Sequence, residues 1–287
     1  MIVRTRFAPS PTGRLHLGHV FAARVARDLA RGSNGEFLLR HEDIDGPRVR
    51  EEFYQGIEED LEWLGLTWDG EPLRQTTRIA AYEEALESLR KRKLVYPCFC
   101  TRKEIRDEWA RMGAAPQGPE GPPYPGTCRK LTANDQQERI NAGIPYAWRL
   151  DSCKAAEITG PLTFRDLRFG EISVNPDLLG DVVLARKDIG TAYHLAVVVD
   201  DAFQEITHVT RGEDLLSSTH VHRLLQVLLE LPEPVYLHHT LILDDAGKRL
   251  AKRNDALSIA ALRESGMSPA EVLAINEDEL LRLRSGL

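Results

Sequence analysis

The chain opens on VRTRFA at residues 3–8, a short mixed apolar run that predicts a strand, and PSPTG then breaks it with two prolines and a glycine. From His19, VFAARVARDLARG carries a helical pattern that stops at Gly32. EFLLRHED predicts a second strand. Strand, loop, helix and strand in this order are the opening of a nucleotide-binding α/β fold.

Residues 48–66 and 76–93 are charged and amphipathic and predict two helices. Residues 94–130 change character, with three cysteines among prolines and glycines, as in an irregular inserted module. Residues 145–187 (PYAWRLD, LTFRDLRFG, GDVVLARKD) look β-rich. AYHLAVVVD at 192–200 is a continuous apolar run that predicts a buried strand. Next, ITHVTRGEDLL predicts a strand and turn, SSTHVHRLLQVLLELPEP a helix from serine to proline, and VYLHHTLILDD another strand. GKRLAKRNDA is a polar, cationic loop, and the remaining residues look helical. No internal repeat or low-complexity tract interrupts the pattern.

With 287 residues, 42% of them hydrophobic, the chain can bury a sizeable core in one large or two modest domains. No apolar run reaches the roughly 18 residues of a membrane helix, and the N-terminus has no signal core. A cytoplasmic monomer that stays off membranes is expected. The net charge of −7 argues against a dedicated nonspecific nucleic-acid binder, but not against a local basic face. Of the four cysteines, Cys98, Cys100 and Cys128 lie close together and hint at a metal. Cys153 lies apart and is expected to be a core thiol.

Two segments carry candidate chemistry. HLGH at 16–19 sits between the first strand and first helix. Gly18 leaves room for a nucleotide to approach the backbone. His16 and His19 can donate to phosphate oxygens, and the helix N-terminus adds partial positive charge. Pro9, Pro11 and Gly13 shape the preceding loop. The second segment, GKRLAKRN at 247–254, places Lys248, Arg249, Lys252 and Arg253 where they could close over a triphosphate.

Together these segments resemble the class I aminoacyl-tRNA synthetases, with their HIGH and KMSKS signatures. RFAPSPTGRLHLGH, RHEDIDGPR and WDG are similar to the glutamyl and glutaminyl branch, over roughly residues 4–255. The resemblance implies an α/β, Rossmann-like parallel-sheet catalytic domain with an inserted zinc-binding module and a short helical C-terminal segment. Residues 1–95 and 181–245 would be its halves and 96–180 the insert. Residues 246–287 would hold the KMSKS-like loop and the C-terminal helices, with no anticodon-binding domain.

The resemblance also implies roles. His16, His19 and Lys252 would be catalytic. Pro9, Gly13, His16, Gly18, His19, Arg249 and Lys252 would bind ATP, carried with Mg2+. Arg249 and Ala251 stand where KMSKS has its first lysine and its serine. Arg6, Ala8, Ser10, Glu42, Tyr193 and Arg211 would bind L-glutamate, with Tyr193 just before the apolar run taken as a strand. This fits the chemistry: a carboxylate suits an ammonium, and guanidinium forks suit carboxylates. Cys98, Cys100, Tyr124 and Cys128 match a CxC…YxxxC site for one structural Zn2+.

The short C-terminus resembles the glutamyl-Q tRNA(Asp) synthetases. They activate glutamate without needing tRNA in that step and place it on queuosine in the anticodon of tRNA(Asp). The alternatives are charging of the 3′ end of tRNA(Glu), a related nucleotidyltransferase acting on a non-RNA acceptor, and a non-catalytic RNA-binding module.

Overall fold

A computed structural model describes residues 2–112, 124–242 and 258–286. Its frame is parallel. Strand β1 (Arg4–Phe7) leads through the PSPTG loop into helix α1 (Leu17–Gly32) and then β2 (Glu36–His41), which pairs parallel to β1. Helix α2 (Glu51–Trp63) precedes the two-residue β3 (Leu73–Arg74), parallel to β2, and α3 (Ile79–Lys91) follows.

Strand β4 (Val95–Cys98), α4 (Arg102–Met112), α5 (Ala133–Asn141), β5 (Ala147–Leu150) and α6 (Ser152–Thr159) come next. The hairpin β6 (Thr163–Asp166) and β7 (Gly170–Ser173) leads to β8 (Val183–Arg186), α7 (Tyr193–Phe203) and β9 (His208–Gly212). Helix α8 (Leu216–Leu228), β10 (Val235–His239), α9 (Ile259–Glu264), α10 (Pro269–Ala274) and α11 (Glu277–Ser285) complete the described chain.

Strands β3, β2 and β1 form one run, and β9, β10, β6 and β7 another. The two meet where Thr207 donates from its backbone N–H to the Arg4 carbonyl at 3.0 Å. Sequence order therefore reverses between β1 and β9. In open α/β sheets the crevice at the carboxyl ends of the strands flanking such a reversal is where ligands bind. A separate antiparallel sheet, β4-β5-β8, carries the cysteine region. Although β6 lies between β5 and β8 in sequence, it pairs parallel with β10.

The run at 192–200 is a helix, not a strand. Its valines suit a strand, but Tyr193, Val197, Asp200 and Asp201 recur at helical spacing. Leu195, Ala196, Val197 and Val198 pack in a core with Tyr82 and Leu86 of α3 and Val221 and Leu225 of α8. A helix buried between two helices is apolar nearly all round, so its sequence loses the polar stripe that marks amphipathic helices. Cys153 is also corrected: it is exposed, and Arg129 donates to its Sγ at 3.0 Å. The buried residues of α6 are Ser152 and Ala155, and Cys153 lies off that face.

The C-terminal helices clasp α1. Arg24 donates to the Leu273 carbonyl at 2.7 Å and pairs with Glu277 at 2.6 Å, while Asn276 donates to the Leu17 carbonyl at 3.1 Å. Ile259 and Val272 share a core with Phe7, Leu17 and Val20. No helix among the described residues is long and apolar enough to cross a membrane.

Candidate functional site

His16 caps α1 with its own ring: its Nδ1 accepts from the Gly18 N–H at 3.2 Å, and the His19 Nδ1 accepts from the His16 N–H at 3.3 Å. Each ring thus uses Nδ1 as an acceptor, which places its proton on Nε2. The rings stack with centroids 3.7 Å apart. The first turn of α1 has no acidic residue, so its partial positive charge is not offset there. HLGH is thereby built as a capped helix N-terminus with two stacked imidazoles at its head.

The loop before it is tied to β2. Ser10 accepts from the Thr12 N–H at 2.8 Å, and the Pro9 carbonyl accepts from the Glu42 N–H at 3.0 Å. Ala8 and Ser10 are half-buried and Pro9 is buried. Gly13 has open space around a notional Cβ, so nothing packs tightly against it there. The residues at 243–257, including Arg249, Ala251 and Lys252, lie outside the described residues. The described chain resumes at Ser258 directly against HLGH: Ser258 forms a backbone bridge to His16, and Ile259 donates to the Leu15 carbonyl at 2.9 Å.

Arg6, Glu42, Tyr193 and Arg211 converge on the β1–β9 reversal. Arg6 comes from β1 and Arg211 from β9, Glu42 follows β2, and Tyr193 starts α7. Arg211 donates to the Tyr193 hydroxyl at 3.3 Å. The Asp214 carboxylate and the tip of Leu241 lie close over Gly212, so a side chain there would displace them.

Beneath these four lies a group that sequence patterning did not single out. Asp201 of α7 pairs with Arg6 at 2.8 Å and with Arg40 at 2.8 Å, and Arg40 reaches Glu42 at 3.4 Å. Arg40 is fully buried and Arg6 nearly so. Burial alone would raise the Asp201 carboxyl, but the two guanidiniums hold it below the usual carboxylate range. Glu42 shows the opposite balance: burial pushes its carboxyl up despite the pull of Arg40 and Arg6. An ammonium placed against Glu42 would favour its charged form. The missed signal was Arg40 two residues before Glu42, and a carboxylate at helical spacing from Tyr193.

The cysteine cluster draws residues from β4, the loop after it and a 3-10 turn at Thr127–Lys130. The sulfurs of Cys98, Cys100 and Cys128 all lie within 4.8 Å of one another. Cys100 and Cys128 are 3.4 Å apart, and the Tyr124 hydroxyl is 3.4 Å from Cys100. Tetrahedral zinc with Zn–S bonds of about 2.3 Å needs sulfurs about 3.8 Å apart, so three thiols and a phenol of this spacing fit that ion. The hydrogen bond between Cys98 and Cys128 pulls the Cys128 thiol down and pushes the Cys98 thiol up, so the two share one proton. Arg149 stacks over the Tyr124 ring at 4.1 Å.

Residues 2–276 match the family model described as tRNA synthetases class I (E and Q), catalytic domain. The chain is 50% identical over 274 residues to the glutamyl-Q tRNA(Asp) synthetase of Rhodobacter capsulatus, covering 93% of this chain and 97% of that one. It is 41% identical over 269 residues to the glutamate–tRNA ligase of Aquifex aeolicus, covering 93% of this chain and 55% of that one. Among solved structures, a glutamate tRNA ligase from Elizabethkingia meningosepticum in complex with its amino acid superposes with a TM-score of 0.74 at 33% identity. That match covers 88% of this chain and 52% of the other. The chain thus spans about half the length of these two ligases.

Proposed function

The chain belongs to the class I E and Q tRNA synthetases, and on that premise we propose that it activates L-glutamate with ATP and transfers it to queuosine in the anticodon of tRNA(Asp). The observation that carries the glutamate assignment is Arg6, Arg211, Glu42 and Tyr193 together at the crevice, on the same sheet that feeds the capped N-terminus of α1. Two guanidiniums suit a dicarboxylic amino acid, and Glu42 suits its ammonium.

In the first step, a glutamate α-carboxylate oxygen attacks the α-phosphorus of ATP, carried as its Mg2+ complex. The P–O bond to the β-phosphate breaks, releasing pyrophosphate and leaving glutamyl-adenylate. The Nε2 protons of His16 and His19 meet the charge that builds on the phosphate oxygens, with Lys252 as their partner from the cationic loop. By the family resemblance, Pro9, Gly13, Gly18 and Arg249 would contact ATP. Ala8 and Ser10 border the amino-acid pocket. In the second step, a queuosine hydroxyl attacks the adenylate's carbonyl carbon and AMP leaves. tRNA enters only there.

The acceptor assignment draws on the relatives named glutamyl-Q tRNA(Asp) synthetase, from Rhodobacter capsulatus at 50% identity and Nocardia farcinica at 46%. The second reading is charging of the 3′ end of tRNA(Glu), favoured by the 41% identity to the Aquifex aeolicus ligase. Charging with radiolabelled glutamate separates them. Label is expected on tRNA(Asp) bearing queuosine and not on tRNA(Asp) lacking it. Label on tRNA(Glu) alone would favour the second reading.

Cys98, Cys100, Tyr124 and Cys128 would hold one Zn2+, which would clamp β4 to the turn at Thr127–Lys130. Elemental analysis is expected to find one zinc per chain, lost in Cys128→Ser together with about 2 kcal/mol or more of stability. Zinc-free protein of unchanged stability would remove this assignment.

A further inference from the structure

The two guanidiniums of the crevice are held in opposite ways. Arg6 shares Asp201 with Arg40, so its charge is balanced in place. Arg211 is as deeply buried, yet its acceptors among the described residues are all uncharged. Its Nε donates to His238 Nε2 at 3.1 Å, and its terminal nitrogens to Tyr193 Oη at 3.3 Å, His222 Nδ1 at 3.1 Å and Thr219 Oγ1 at 2.5 Å.

The nearest carboxylate in this network is one imidazole removed. Asp166 of β6 accepts from His238 Nδ1 at 2.7 Å and from the His238 N–H at 3.1 Å. Its other oxygen accepts from the backbone N–H groups of Arg168 and Phe169, at 2.9 and 3.0 Å. The carboxylate is therefore fixed by four donors and holds the His238 proton on Nδ1, leaving Nε2 as an acceptor. His222 repeats the device: Nδ1 accepts from Arg211, so Nε2 carries the proton and donates to His194 Nδ1 at 3.1 Å. Burial and the nearby arginine hold His222 well below its ordinary value, and burial takes His238 to about 4, so both remain neutral acceptors near pH 7.

We propose that Asp166 and His238 are positioning residues for Arg211: Asp166 fixes the His238 tautomer, and His238 aims the guanidinium without neutralising it. The charge of Arg211 is thereby kept for the side-chain carboxylate of the amino-acid substrate. This rests on the glutamate reading above. A carboxylate placed directly on Arg211 would compete with that ligand.

The test contrasts two substitutions in glutamate-dependent ATP–pyrophosphate exchange. His238→Asn retains a donor at the Nδ1 position, towards Asp166, but has nothing to offer Arg211. His238→Gln can present an oxygen where Nε2 was. The expected result is a glutamate KM about 10-fold higher in His238→Asn, from loss of one hydrogen bond to a charged group, with the ATP KM within about 2-fold. His238→Gln should stay within about 3-fold of the unaltered enzyme. A folded His238→Asn protein with an unchanged glutamate KM, or equal rises in both variants, would overturn the proposal. Should His238→Asn not fold, Asp166→Asn probes the same relay, since it removes the charge that fixes the proton on His238 Nδ1. A raised glutamate KM there supports the proposal and an unchanged one overturns it. If the unaltered protein itself shows no exchange, the glutamate reading fails instead.

Discussion

Arg211→Met is expected to lower kcat/KM for glutamate by about 10³-fold while changing the stability of the fold by less than about 2 kcal/mol. The size follows from losing a guanidinium fork against a carboxylate, two charge-assisted bonds of roughly 2 kcal/mol each. The small effect on stability follows from two opposing terms. Methionine removes the desolvation cost of a buried cation whose described partners are all neutral, but leaves the acceptors of His238, His222 and Thr219 unpaired. Exchange kinetics give the first number and urea denaturation the second. An Arg211 that merely braced the fold would behave differently: the methionine variant would be destabilised by more than that, and activity would fall only with the folded fraction. Arg211→Lys is expected to recover little, because an ammonium cannot bind both carboxylate oxygens in the fork geometry.

The second large effect lies beneath the pocket. Asp201→Ala is expected to destabilise the fold by about 3–5 kcal/mol, since it strands Arg6 and Arg40 in the interior without their shared counter-ion. That is a large part of the net stability of an ordinary domain, about 5–15 kcal/mol. Urea-induced unfolding followed by circular dichroism measures it, and a loss below about 1 kcal/mol would contradict the network described here. The pH dependence has a definite sign. Arg6 and Arg40 hold the Asp201 carboxyl below its unfolded value even though burial opposes them. Its contribution is therefore fully present above the ordinary carboxylate value of about 3.9, and is lost as pH falls through the depressed folded value.

These two arginines mark how far the sequence could be read. The opening strand, loop, helix and strand were legible because each has its own local signal: a short apolar run, two prolines, a helical pattern ending at Gly32. The α7 segment was not, because burial between α3 and α8 erased the polar stripe that separates helix from strand. Arg6, Glu42, Tyr193 and Arg211 were named through resemblance, and they do lie together at the β1–β9 reversal. What resemblance did not supply was their support. Asp201 is 195 residues from Arg6, and Asp166 is 72 from His238. Partners that distant meet only once the sheet order is known, so the local hints at Arg40 and Asp201 could not be joined from sequence. The cysteine cluster was readable because its residues fall in two short segments. The mismatch at Cys153 arose because a lone cysteine carries no directional information.

Glutamate-dependent ATP–pyrophosphate exchange, run without tRNA, bears most directly on the central claim that Arg6, Glu42, Tyr193 and Arg211 select a dicarboxylic amino acid for activation at HLGH. The predicted result is exchange with L-glutamate and little with L-glutamine, which has the same length but no side-chain charge for Arg211. Equal exchange with both amino acids, or none with glutamate, would contradict it.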